Sequence, residues 1–256
     1  MVQTYQYVSL TYNYFFLFSS NEILEVLLYF YLLSNDNCRV VANGCINLGK
    51  ICDPKKLLKE IEKINAKLGE KFHDKKYMQG ASKQLYKDTK GWQGIPLINE
   101  TGKGGSEGLR YGGTANVFKT IAETQYFPTE YLKKSQLLQE LFGTLERKYN
   151  TQCGLARILK LEKGGNIAPH IDYIHPSSRS KVRCHIPLVS QHPTIYMTID
   201  ERNYFLEPGN LYMTDVSKRH SVRNNSNIDR IHIVVDLERT PPLQRAIERG
   251  KPAINV

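Results

Sequence analysis

His170, Asp172 and His220 are the side chains in this sequence best suited to hold a metal ion. Residues two apart on an extended strand project from the same face, so the imidazole and carboxylate of His170-Ile171-Asp172 can reach one ion together. His220 follows fifty residues later, flanked by Asp215 and Ser221. Two histidines and a carboxylate gripping one face of a metal, with the other positions open, form the donor set of non-haem Fe(II) oxygenases. Two more features accompany this set. Arg230 stands ten residues after His220, and Arg183-Cys184-His185 puts a guanidinium and an imidazole on one strand face. A lone strand histidine usually packs or meets water. The ordered series HxD, Arg-x-His, His and Arg is therefore more specific than any member of it, the Arg-x-His strand falling between the two candidate histidines.

The elements that must position these groups read as short strands. Gly154–Leu161 is one, followed by a turn at 162–166 and then the run carrying Ile167, His170 and Asp172. Val182–Val189, Thr194–Ile199, Tyr204–Leu206, Leu211–Thr214, His220–Arg223 and Arg230–Leu237 continue the series, with Pro208-Gly209-Asn210 as a turn. Seven or eight short strands at regular turn spacing predict a sandwich or closed jelly roll. Upstream, Cys38–Cys52 reads as extended chain. Asp53-Pro54 opens a helix with Leu57, Ile61, Ile64 and Leu68 as its apolar stripe and Gly69 as its end. Gly91–Thr114, which holds the only tryptophan, Trp92, reads as a long loop, and Thr129–Tyr149 as a second helix. No glycine-rich phosphate loop leads from a strand into a helix, so nucleotide folds have no support.

The stretch from Cys153 to Leu237 resembles the aspartyl/asparaginyl β-hydroxylase family of Fe(II)- and 2-oxoglutarate-dependent oxygenases, which includes proline-type amino-acid hydroxylases. The segments that carry the resemblance are Lys163–His170, Arg183–Leu188, Pro208–Leu211, Arg219–Asn224 and Arg230–Leu237. It implies a mainly β fold with flanking helices, a double-stranded β-helix (a cupin-like jelly roll) with its core at about 153–238. His170 and His220 would be iron ligands, with Asp172 completing a set that some members lack. Arg230 would pair with the distal carboxylate of 2-oxoglutarate, and Arg183 and His185 would lie beside that cosubstrate. Burying a carboxylate unpaired is severely unfavourable, and a planar guanidinium answers that cost better than lysine. A small polar residue that contacts 2-oxoglutarate in the family is matched here by Leu159, so that contact is lost or replaced. Arg157 and Tyr196 are the candidates for replacing it. The implied reaction consumes O2 and 2-oxoglutarate, with ascorbate as a supporting reductant, and hydroxylates an amino acid, free or within a peptide (Asp, Asn or Pro type). Trp92 and Arg223 are the candidates for touching substrate, although core packing is the plainer role for Trp92.

Composition sets the outer bounds. Hydrophobic residues at 41% and charged residues at 23% fit a globular chain and exclude collagen-like or fully disordered ones. The net charge of +10 motivates an alternative in which the oxygenase acts on nucleic acid or an associated protein. Yet arginines and interleaved aromatics are scarce among the lysines of 50–90, unlike a nucleic-acid footprint, so that partner is not favoured. A non-catalytic metal-binding jelly-roll module is a second alternative, which the complete ligand set argues against. Five cysteines without a CxxC pair suit reduced thiols in a cytoplasmic setting. Residues 1–35 are aromatic-rich and free of Lys and Arg, and are set apart from a single oxygenase domain at 36–256. Their 15–33 stretch approaches bilayer-spanning length, but Glu22 and Glu25 interrupt it, so a packing helix at Ile23–Leu33 is expected over an anchor. Oligomeric state is not legible.

Overall fold

A computed structural model describes residues 44–74, 83–110, 121, 124–172 and 181–256. The first half runs β1 (Cys45–Lys50), α1 (Pro54–Leu68), β2 (His73–Asp74), α2 (Lys83–Asp88), β3 (Lys90–Asn99), α3 (Gly105–Arg110), β4 (Phe127–Pro128), α4 (Glu130–Lys133) and α5 (Gln136–Tyr149). Strands then dominate: β5 (Cys153–His170), β6 (Lys181–Val189), β7 (Ile195–Ile199), β8 (Arg202–Phe205), β9 (Asn210–Thr214), β10 (His220–Asn224) and β11 (Arg230–Glu238). The chain closes with α6 (Pro241–Arg249), β12 (Lys251–Pro252) and β13 (Ile254–Asn255). The segment 1–35, the anchor or helix expected within it, and Cys38 lie outside the described residues. No described helix is long and apolar enough to cross a membrane.

All recorded strand pairs are antiparallel, and the hydrogen-bonded path is β12-β1-β9-β6-β11-β5-β10-β7-β8-β13, with β3 added along β5. The path is one continuous sheet in which the long strand β5 serves two stretches, and a shared core lies between those stretches. Cys153–Leu161 lies between β3 and β11, whereas 166–170 pairs with β10. One apolar cluster joins the two inner faces: Leu161 and Ile167 of β5, Met197 and Ile199 of β7, Tyr204 of β8, Tyr212 of β9 and Val222 of β10. This is the expected jelly roll with helices outside it.

The strand β5 is longer than the sequence suggests. The turn expected at 162–166 is a bend inside one 18-residue strand. Gly164 takes φ 68°, and a Cβ on Gly165 would meet the carbonyl oxygens of Glu162 at 2.7 Å and Lys90 at 2.9 Å. Two glycines let the backbone bulge and pack against itself between the pairs at Leu161 and Asn166.

The long loop expected at Gly91–Thr114 is also corrected. Its first part is β3, a ten-residue strand, and Gly105–Arg110 is helical. Glycine and proline depress strand propensity, but cross-strand pairing with β5 overrides it, burying Ile95, Leu97 and Ile98. The helix expected over Thr129–Tyr149 is two helices, each capped by its own hydroxyl. Thr129 Oγ1 accepts from Leu132 N–H, and Ser135 Oγ accepts from Leu138 N–H. In α1, Asp53 accepts from the amides of Lys55 and Lys56, and Gly69 closes the helix at φ 62°. Leu57, Ile61 and Ile64 face inward, and Lys55, Lys56, Lys59, Lys63 and Lys67 are solvent-exposed. The terminal helix α6 has no counterpart in the sequence reading. It buries Leu243 and Ile247, each contributing about 2 kcal/mol of apolar transfer.

Candidate metal centre and cosubstrate pocket

His170 ends β5 and His220 begins β10, and the two are direct cross-strand partners. A register shift makes this possible: Val222 pairs with Ile167, yet His220, two residues back, pairs with His170, three residues on. The extra residue is a β-bulge, and it turns His170 to the face His220 shares with core residue Val222. Strict alternation from Ile167 would have aimed His170 the other way. The two rings stand 4.1 Å apart between centroids. Asp172, just past the strand, is tied by its amide to the Val216 carbonyl at 3.0 Å, which brings Oδ1 to 3.5 Å from His170 Nε2. Candidate ligand atoms of His170, Asp172 and His220 all lie within 4.8 Å of one another.

The protonation pattern suits a cation. His170 Nδ1 lies 2.8 Å from the Ala168 carbonyl, and His220 Nδ1 lies 3.0 Å from that of Lys218. A carbonyl can only accept, so each Nδ1 carries the proton and each Nε2 offers its lone pair. Burial pushes the His220 imidazolium down to about 4, against the opposing pull of Asp172, so the ring is neutral at neutral pH. Burial acts to raise the Asp172 carboxyl, but Arg183, His220 and His170 outweigh it and hold the group below its usual range. Two imidazole Nε2 atoms and one carboxylate, on a partly open rim, fit Fe(II).

Arg183 is fully committed within the protein. Its Nε and Nη2 donate to Asp236 Oδ1 and Oδ2 at 2.7 and 3.0 Å, and its Nη1 donates to Asp172 Oδ2. A bidentate clamp to β11 thus steadies the candidate ligand carboxylate. Asp215 does not perform that service for His220. It accepts from Ser217 Oγ in a turn, while His220 relies on the Lys218 carbonyl.

Behind this cluster the inner wall becomes cationic. Arg230 is 2% exposed, and no carboxylate forms an ion pair with it among the described residues. Burial pushes its guanidinium down to about 9, a sign that the charge lacks a counterion. Its recorded side-chain contact is Nη2 to His232 Nδ1 at 2.9 Å. His185 and His232 are buried and meet edge to face at 5.9 Å. Burial first, then the Arg230 charge, hold both rings well below their usual range. A buried, unmatched guanidinium among neutral rings is the chemistry that accepts a carboxylate, so the residues fit 2-oxoglutarate as well as iron.

The substrate candidates divide. Trp92 pairs with Leu161 across β3 and β5, packs on the inner cluster and keeps a buried Nε1 without a protein partner. Arg223 is exposed, and strand alternation puts it on the face of β10 opposite His220 and Val222, so the fold does not bring it to the site. Tyr196 is its cross-strand partner on that outer face. Asn224 is buried but structural: its amide donates to the carbonyls of Leu161, Glu162 and Ile228, tying β10 to the bend of β5. His232, buried beside Arg230, has no place in the sequence reading of the site. Its position two residues from Arg230 was the available signal.

No curated protein sequence matches the chain. Among solved structures, a 2OG-Fe(II) oxygenase-family oxidoreductase from Burkholderia pseudomallei is 13% identical, with 84% of this chain and 90% of that one covered and a TM-score of 0.45. A Pseudomonas putida prolyl-4-hydroxylase is 13% identical, covering 78% and 95%, with a TM-score of 0.40. A Trichoplax adhaerens prolyl hydroxylase, solved with a hypoxia-inducible-factor peptide, is 13% identical, covering 87% and 95%, with a TM-score of 0.42. Residues 54–240 match the family described as aspartyl/asparaginyl beta-hydroxylase, a span that includes β5 through β11 and every candidate ligand. On that match the chain belongs to the aspartyl/asparaginyl β-hydroxylase family, as a hydroxylase that works with Fe(II) and 2-oxoglutarate.

Proposed function

We propose that this enzyme hydroxylates an amino acid, free or as a peptide residue of Asp, Asn or Pro type. His170, Asp172 and His220 hold Fe(II), and Arg230 binds the distal carboxylate of 2-oxoglutarate. The observation that carries the residue assignment is Arg230, a cation buried to 2% exposure with no acidic partner among the described residues. His185 borders the same pocket, and Arg183 steadies Asp172 from the Asp236 clamp. Trp92 lines the inner wall beside Leu161, where an indole can bound the substrate cavity. When bound, iron supplies oxygen activation coupled to decarboxylation of the keto acid. The protein's share is to fix both ligands, exclude water and aim one substrate C–H bond. The described cysteines are free thiols, three of them buried, which supports a reducing, cytoplasm-like compartment.

The test is succinate release from 2-oxoglutarate in the presence of amino-acid and peptide pools, with mass spectrometry for a gain of one oxygen. His220→Ala should abolish both signals. Arg230→Ala should raise the KM for 2-oxoglutarate roughly a hundredfold while leaving that for the hydroxylated substrate near its original value. Equal shifts in the two constants would remove the cosubstrate assignment.

A further inference from the structure

The hydrogen-bonded strand path begins and ends in the same six residues, Lys251–Val256. β12 pairs with β1 at Ile46–Pro252 and Asn47–Lys251, and β13 pairs with β8 at Ile254–Phe205 and Asn255–Tyr204. Ala253 alone separates the two, so this short strap covers the edges of β1 and β8 and joins the ends of the sheet. Ala253 is also its anchor. It is buried in the same inner cluster as Cys45 of β1 and Tyr204 of β8, and its N–H donates to the Cys45 carbonyl at 3.0 Å. Val256 N–H donates to the Asn203 carbonyl at 3.1 Å. The other five residues of the strap are exposed. Two ladders of two residues each, with one buried side chain between them, hold a segment weakly, so the strap opens more readily than the core strands.

A chain of contacts runs from that anchor to the metal centre. Cys45, which accepts from Ala253, pairs with Thr214 across β1 and β9. Thr214 Oγ1 donates to the Arg183 carbonyl at 3.3 Å, and Arg183 Nη1 donates to Asp172 Oδ2. Arg183 stands on β6 and Asp172 just past β5, strands that β11 separates in the path. That last contact therefore depends on how β6 is held. We propose that Lys251–Val256 is a clasp whose docking is coupled to metal binding. Docked, it fixes β1 and β9 against β6 so that Arg183 reaches Asp172. Released, it frees the edge of β1, and the Asp172 carboxylate loses its lateral support. The inference rests on Asp172 as a metal ligand. Coupling of this kind is reciprocal, so the metal must tighten the clasp by the factor by which the clasp tightens the metal.

The experiment is calorimetric titration with Zn(II) of the full chain and of a variant ending at Gly250, each with Arg183 and with Arg183→Met. Removing the strap should weaken Zn(II) roughly tenfold when Arg183 is present and by less than about twofold when it is methionine. In the full chain, saturating Zn(II) should slow hydrogen exchange at the Ala253 and Val256 amides by a similar factor, roughly tenfold. Equal weakening in both backgrounds would mean that removal loosens the fold at large, and the proposal fails. No weakening in either background overturns it as well. Should the shortened variant not fold, exchange in the full chain decides. Normal Zn(II) binding with unmoved exchange at both amides removes the coupling and leaves the metal assignment standing. A full chain that binds no Zn(II) removes both.

Discussion

Arg183 shows how much of the site depends on residues that touch no reacting atom. Its guanidinium spans Asp236 and Asp172, and burial is outweighed by these two carboxylates, which hold it firmly charged. Methionine at this position keeps the stem and removes the fork. Arg183→Met should destabilise the fold by about 3 kcal/mol, because Asp236 loses both bonds while partly buried. It should also weaken Fe(II) binding, since Asp172 loses its lateral support. Urea denaturation and metal titration measure the two effects separately, and unchanged iron affinity would mean the Asp172 carboxylate is placed by its backbone alone. At this scale the sequence was readable wherever a period of two sufficed. His170, Asp172, His220 and Arg230 are legible from residue chemistry and order, but the meeting of His170 with His220 needs a bulge that alternation alone does not supply. Arg223 was misplaced by ignoring that parity, being three residues from His220. Whether the second nitrogen of a strand histidine such as His232 finds a partner is decided by packing in three dimensions, not by spacing along the chain.

The elements matter through β5, which carries one candidate ligand and pairs with β3, β11 and β10 along its length. Its bend and its bulge together deliver His170 to His220. Composition around Gly164-Gly165 reads as a turn, and only pairing with β3, β10 and β11 makes it continuous strand. The same tertiary override hid β3 behind Gly91, Gly94 and Pro96, whereas α1 was legible because its cap, proline and apolar stripe agree locally. The two glycines have separable roles. Gly164 has a left-handed backbone and open space around it, so Gly164→Ala should cost about 1 kcal/mol. A Cβ at Gly165 collides with two carbonyl oxygens, so Gly165→Ala must displace backbone and should cost about 3 kcal/mol. Gly165→Ala should also lower iron affinity, because the shifted segment leads straight to His170. Equal thermal shifts for the two variants would show that the bend, not the close approach, is what the glycines serve.

Across the whole molecule the inner wall concentrates neutral imidazoles around a buried cation, and that makes the fold sensitive to acid. His185 and His232 are held well below their usual range by burial and by Arg230, and His220 is pushed down to about 4, chiefly by burial. In the unfolded chain each would take a proton near pH 6.5. Below that point the unfolded state binds protons the native state refuses, so stability must fall as pH falls. Each histidine contributes a slope approaching about 1.4 kcal/mol per pH unit, and the three together about 4 in metal-free protein. The share of His220 ceases once pH drops through about 4. Asp172 adds loss in the same direction at lower pH, because its folded carboxyl lies below the unfolded value and its contribution disappears as the native carboxylate is protonated. Urea midpoints for the metal-free protein should therefore be flat from pH 8 to about 7 and fall steeply from about pH 6 to 5. His232→Gln should flatten that fall by one proton without moving the plateau's pH limit. A midpoint that stays level through pH 5 would mean these rings charge inside the fold, and a cavity able to hold protonated imidazoles beside Arg230 would have no need of an anionic ligand.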